Sequence, residues 1–216
     1  MTYNTTMQSF DKILDLCTIL SDGYRDAVFI GGVAVYLHLV KKSRGSLPPD
    51  VSHDADFMIS FSDYGALKDA EEITPTTRLA KHQMVVGGVE FDIYVERLHR
   101  LVVPYDEVAA HSTIIEGIRV ACLEHLLMLK LEAYLDRGHS SKGEKDRKDI
   151  AKVGLLLGTK FKKALIQPYL REELLFALKD IAKSAIFFEM NDNNAHVAKK
   201  ARTAFSTFVS ALSQLG

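Results

Sequence analysis

Tryptophan is absent from the sequence, and cysteine, proline and net charge are all scarce: two Cys, five Pro and a formal charge of -1 in 216 residues. Cys17 and Cys122 lie far apart, each in an apolar stretch. That placement predicts buried, reduced thiols and excludes the disulfide framework of a small secreted domain. No window approaches the ~20 apolar residues of a membrane span. The opening MTYNTTMQSFDK lacks the basic-then-apolar order of a secretory leader, so a cytoplasmic protein without a membrane partner is expected. Near-neutral charge, with a pI of about 6.7, gives no bulk pull toward nucleic acid. Lys and Arg do gather at Arg137 to Lys152 and at Lys199, Lys200 and Arg202, where a polyanion would be sought. The eight histidines show no H-x-x-x-H or Cys/His spacing for zinc. No G-x-S-x-G or G-x-x-x-x-G-K-[ST] is present either, which argues against an α/β-hydrolase or a P-loop enzyme.

What is present is an ordinary globular composition, 47% hydrophobic and 25% charged. Met7, Phe10, Ile13, Leu14, Cys17 and Leu20 recur at three- and four-residue intervals and predict an amphipathic helix ended by Asp22-Gly23. Ala27 to Ile30 reads as a short strand, Gly31-Gly32 as a turn, and Val33 to Val40 as a helix. Gly45, Pro48 and Pro49 predict an exposed loop over Ser43 to Ser52. Asp54 to Ile59 alternates as a strand, and Gln83 to Val86 turns through Gly87-Gly88 into Val89 to Val95 as a hairpin. From Leu123 the spacing is helical, with further helices expected at about 144–157, 169–188 and 194–213. A boundary near 121 therefore separates an α/β domain, 1–121, from a helical domain, 122–216. Phe176, Ile181, Ile186, Phe187, Phe188, Phe205 and Phe208 are spaced as helical core, with a dimer or partner face as the alternative.

Asp54 and Asp56 are two apart on a predicted strand, so their carboxylates leave one face with Cα atoms roughly 6–7 Å apart. Such a pair repels unless a cation lies between its members. Hard divalent ions such as Mg²⁺ prefer oxygen ligands, and two ions about 3.5–4 Å apart can activate a hydroxyl and stabilise a leaving pyrophosphate. Asp92, flanked by Phe91 and Ile93, is a third acid able to complete the site or orient the nucleophile. A D-x-D tripeptide on a solvated edge strand needs no function. The upstream Gly31-Gly32 turn adds weight, because glycines let backbone amides approach phosphate at a helix N-terminus. His53 is next to Asp54 and is expected on the other strand face. His38 is expected to be packed or partly exposed.

Phe29-Ile30-Gly31-Gly32-Val33-Ala34-Val35-Tyr36-Leu37-His38 followed by Asp54-Ala55-Asp56-Phe57 resembles the signature of polymerase-β-like nucleotidyltransferases. The nearest likeness is to the AbiEii-like subgroup, which includes abortive-infection and type IV toxin–antitoxin toxins. That resemblance implies an α+β fold, with a mixed sheet flanked by helices and followed by a C-terminal helical bundle. Val33 stands where the subgroup often has a hydroxyl residue. Lys130-Leu131-Glu132-Ala133, Arg137 and Lys145-Asp146-Arg147-Lys148-Asp149 resemble its K-x-x-A-x-x-x-R and K-D-x-x-D segments. The implied roles are metal and catalysis for Asp54, Asp56 and Asp92, and nucleotide binding for Gly31, Gly32, Lys130, Arg137 and Lys145. Asp146 and Asp149 would support those cations.

The implied activity is Mg²⁺-dependent transfer of a nucleoside monophosphate from an NTP to a hydroxyl acceptor, with two ions and pyrophosphate release. The acceptor would be tRNA or protein, and a cognate antitoxin would be a partner. An antibiotic-type small-molecule adenylyltransferase and a non-catalytic nucleotide- or partner-binding relative remain as alternatives, and the oligomeric state is left open.

Overall fold

The computed structural model describes residues 2–43, 47, 50–76, 81–138 and 140–215. The loop expected around Gly45, Pro48 and Pro49 lies outside them. Two compact units divide the chain, one of Met1–Lys41 and Pro49–Cys122, the other of Lys42–Pro48 and Leu123–Gly216. Among the described residues no helix is long and apolar enough to cross a membrane.

The first unit runs α1 (Thr2–Gly23), β1 (Val28–Ile30), α2 (Gly31–Ser43), β2 (Asp54–Ile59), α3 (Phe61–Ala70), β3 (Thr74–Thr76), β4 (Lys81–Val86), β5 (Val89–Val95), α4 (Tyr105–Ala110), β6 (Thr113–Ile115) and β7 (Ile118–Val120). Its strands form one mixed sheet in the order β3-β4-β5-β2-β1-β7-β6, in keeping with the α+β expectation. The strand carrying Asp54 and Asp56 is thus central, not at an edge. β2 runs antiparallel to β1 and parallel to β5. Gly87 and Gly88 take φ of +57° and +79°, the left-handed conformation that a two-residue β4–β5 hairpin requires.

The two faces of this sheet differ chemically, and the difference fixes its register. Ala55, Phe57 and Ile59 on β2 share a face with Phe91, Ile93 and Val95 on β5, and all six are buried. The rings of Phe29, Phe57 and Phe91 run across β1, β2 and β5 with centroids 5.5 and 6.3 Å apart. A one-residue slip would move these rings into water and bury the aspartates instead, a large penalty in both directions. α3 lies on the apolar face, where Tyr64 meets His82 at 5.3 Å between ring centres. Helix α2 is apolar nearly all round, with Val33, Ala34, Val35, Leu37 and Leu39 buried, as befits an interior helix. His38 is buried on it, its Nε2 2.8 Å from the Ala121 carbonyl. Cys17 is buried and Cys122 partly so, neither of them in a disulfide; burial pushes the Cys17 thiol well above its usual range.

The second unit contains α5 (Leu123–Arg137), α6 (Ser141–Leu157), a 3₁₀ turn at Lys163–Leu165, α7 (Glu172–Lys183), α8 (Ile186–Glu189) and α9 (Ala195–Leu212). A single helix over 169–188 is expected from spacing, but the chain starts it later and interrupts it at Ser184. Ser184 adopts φ -71°, ψ 169°, and its hydroxyl donates to the Ile181 carbonyl, a local bond that competes with helix continuation. Ile181, Ile186, Phe187, Phe205 and Phe208 form core, whereas Phe176 is 73% exposed and Phe188 40%. Phe176 falls on the outward face of α7, opposite the stripe of Leu174, Ala177, Leu178 and Ile181. Gly154 lets α9 approach α6: a Cβ there would lie 2.5 Å from the Phe205 ring.

Candidate active site

The polar face of the sheet gathers acids from two adjacent strands. Asp54 and Asp56 leave β2 on the same face by the two-residue period. The parallel register sets Asp54 beside Glu90 and Asp56 beside Asp92, with neighbouring strands about 4.8 Å apart. Asp54 and Asp56 are half-buried, Glu90 is exposed and Asp92 is 4% exposed. His53 is exposed. The Ser52 hydroxyl donates to Asp54 Oδ1 at 2.9 Å.

Asp56 also has an intimate backbone neighbour. β1 pairs with β2 so that Ile30 faces Asp56, and the next residue, Gly31, opens α2 with φ +64°. A Cβ on Gly31 would lie 2.1 Å from Asp56 Oδ2. Glycine is therefore required twice at this position, for its left-handed φ and for the absent side chain. The carboxylate rests against the first turn of a helix, where the partial positive charge of the dipole favours an anion. Gly32 follows in the same turn and is buried.

Asp92 is held by β4. Lys81 forms an ion pair with Asp92 Oδ2, the two side chains being 8% and 6% exposed. Gln83 Nε2 donates to Asp92 Oδ1 at 2.9 Å and to Glu90 Oε1 at 2.5 Å. Gln83 is itself fixed from β3, the Thr76 hydroxyl donating to its Oε1 at 3.0 Å. Lys81, Gln83 and Glu90 join the acids of this candidate site and are absent from the expectations drawn from sequence. The signal was present as K-x-Q and E-x-D, pairs with the same two-residue period as D-x-D, but it becomes legible once the strand pairing is known.

A second charged cluster lies within the helical unit. Lys130 Nζ on α5 is 3.0 Å from Asp146 Oδ1 and 2.7 Å from Asp149 Oδ2 on α6. Arg137 Nη1 reaches Asp146 Oδ2 at 2.8 Å. Lys130, Asp146 and Asp149 are buried, Lys145 is half-buried and Arg137 is exposed. The structure thus brings Lys130, Arg137, Asp146 and Asp149 together, with the acids holding the cations in place. It also gives Lys130 a structural task, fastening α5 to α6.

On the opposite, apolar face of the sheet, His82 Nδ1 and His99 Nε2 are 3.1 Å apart. The Val95 N–H donates to His99 Nδ1 at 2.7 Å. That bond leaves the proton of a neutral His99 on Nε2, so His99 donates to His82. Burial pushes both imidazoles below their usual value, and Lys68 adds to the effect on His82.

The crystal structure of an antigenic nucleotidyltransferase-like protein from Paracoccidioides brasiliensis superposes with a TM-score of 0.50 at 16% identity, covering 89% of this chain and 93% of that one. The chain has a nucleotidyltransferase-like fold. JHP933 from Helicobacter pylori is similar over 99% of this chain and 92% of its own, with a TM-score of 0.51 and 15% identity. No family model matches the sequence, and neither does any curated protein. The likeness is one of fold.

Proposed function

We propose that this chain is a divalent-cation-dependent nucleotidyltransferase, moving a nucleoside monophosphate from an NTP to a hydroxyl acceptor with release of pyrophosphate. The observation that carries this reading is the seat of Asp56: its carboxylate lies against Gly31 at the opening of α2, two residues from Asp54 on the central strand and in register with Asp92. Solvated charges on a central strand need no glycine cradle. A site for an ion and a phosphate group does.

The donor set suits Mg²⁺, since Asp54, Asp56 and Glu90 offer carboxylate oxygens on one face. Asp54 and Asp56 would hold the ion, which when bound neutralises phosphate charge and polarises the phosphorus. The glycine turn at Gly31-Gly32 allows close approach of a phosphate to backbone N–H groups at the helix N-terminus. The role assigned to Asp92, which is held on both oxygens, is to orient the acceptor hydroxyl. In nucleotidyl transfer that hydroxyl oxygen bonds the α-phosphorus, the bond to the pyrophosphate oxygen breaks, and the hydroxyl proton leaves to a base. Lys130, Arg137 and Lys145 are the proposed nucleotide-binding cations, as the family resemblance implies. The AbiEii-like resemblance favours tRNA or protein as acceptor and a cognate antitoxin as partner.

The test is incubation with labelled NTPs, Mg²⁺ and either total RNA or cell lysate. Label should enter one acceptor fraction, and Asp54→Ala and Asp56→Ala should each abolish it. Absence of transfer to every acceptor, together with no NTP binding by calorimetry, would refute the proposal.

A further inference from the structure

We infer that Lys81 acts as a resident cation of the acidic face, standing where a second metal ion would bind, so that the site takes one divalent ion through Asp54 and Asp56. The inference rests on the reading of this face as a divalent-cation centre, and it changes the expected number of ions from two to one. Both oxygens of Asp92 are engaged, Oδ2 by the Lys81 ammonium and Oδ1 by Gln83. The pair is nearly inaccessible to water, so opening it would leave two buried charges uncompensated. A divalent ion on Asp92 would have to displace the ammonium or lie beside it, and like charges at that range repel strongly away from bulk water.

Asp54, Asp56, Glu90 and Asp92 share the face in adjacent register. The clasp is also built to stay: Gln83 is tied to Thr76 and Glu90 as well as to Asp92, so Lys81 meets a carboxylate that cannot rotate away. Lys81 itself is a positioning residue, holding Asp92 out of the metal's ligand set.

The experiment is titration of the full chain with Mn²⁺ alone, read as free Mn²⁺ by electron paramagnetic resonance. The wild type should bind one ion at the site, lost in Asp54→Asn and Asp56→Asn. Lys81→Met should bind two, and the double change Lys81→Met with Asp92→Asn should return to one. Two ions in the wild type would overturn the inference, as would one ion in Lys81→Met with wild-type affinity. Should Lys81→Met fail to fold without metal, recovery of its far-UV circular dichroism on adding Mn²⁺ supports the inference, and no recovery overturns it. Wild-type protein that binds no Mn²⁺ removes the cation-centre reading itself, an outcome distinct from a wrong count.

Discussion

Replacing Gly31 by alanine would place a methyl group where the Asp56 carboxylate now lies. The new Cβ would be 2.1 Å from Asp56 Oδ2, against a floor of 3.0 Å for real Cβ contacts, so the carboxylate must move by about 1 Å. The backbone adds a second penalty, because φ is +64° there and an L-residue in that region costs about 1–2 kcal/mol. The expected loss of stability is therefore about 1–2 kcal/mol from the backbone alone, a fall in Tm of roughly 2–8 °C for a chain of this size. Function should suffer more than stability. Displacing a reacting group by about 1 Å costs on the order of 10²-fold in rate, and nucleotidyl transfer should fall accordingly. Gly65→Ala is the matched control: nothing lies within 4 Å of its added Cβ, and it sits inside α3, so it should stabilise by about 0.5–1 kcal/mol. Differential scanning calorimetry and a transfer assay on both variants decide the matter. A Gly31→Ala protein with wild-type Tm and wild-type Mn²⁺ affinity would refute the claim that the glycine cradles Asp56.

Other expectations follow from the same geometry. Lys130→Met leaves Asp146 and Asp149 buried without their shared ammonium and should cost about 3–5 kcal/mol, measured by urea unfolding. Gly154→Val should lower stability by about 1–3 kcal/mol through overpacking, because a Cβ there already meets the Phe205 ring at 2.5 Å. His82 and His99 both titrate below their usual value because of burial. The unfolded chain therefore binds protons first as pH falls. Their contribution is fully present above the unfolded value near 6.5 and is lost as pH falls through the lower folded values. The thermal midpoint should drop between pH 7 and pH 5, and His82→Gln should flatten that drop.

Periodicity made much of this fold readable because the strongest signals are local. The D-x-D strand, the Gly87-Gly88 hairpin and the long helices are written in neighbouring residues. The three-residue strands β3, β6 and β7 are too short to show a period, and their existence depends on partners distant in sequence. The break at Ser184 is not legible in the sequence because apolar spacing continues across it, while the determinant is one hydroxyl and its local bond. At the site, Asp54, Asp56, Asp92 and Gly31 were visible as residue types in order. Lys81 and Gln83 were not, since a lysine and a glutamine carry no motif until pairing lays β4 beside β5. The same pairing brings Glu90 into the cluster.

The most direct test of the central claim is where the label of the nucleotide goes. NTPs labelled at the α-phosphate and at the γ-phosphate are incubated in parallel with the full chain, Mg²⁺ and acceptor. Transfer of a nucleoside monophosphate predicts α-label in the acceptor, γ-label in released pyrophosphate, and neither in Asp56→Asn. Label entering the acceptor from the γ-phosphate, or α-label transfer that survives Asp56→Asn, would contradict it.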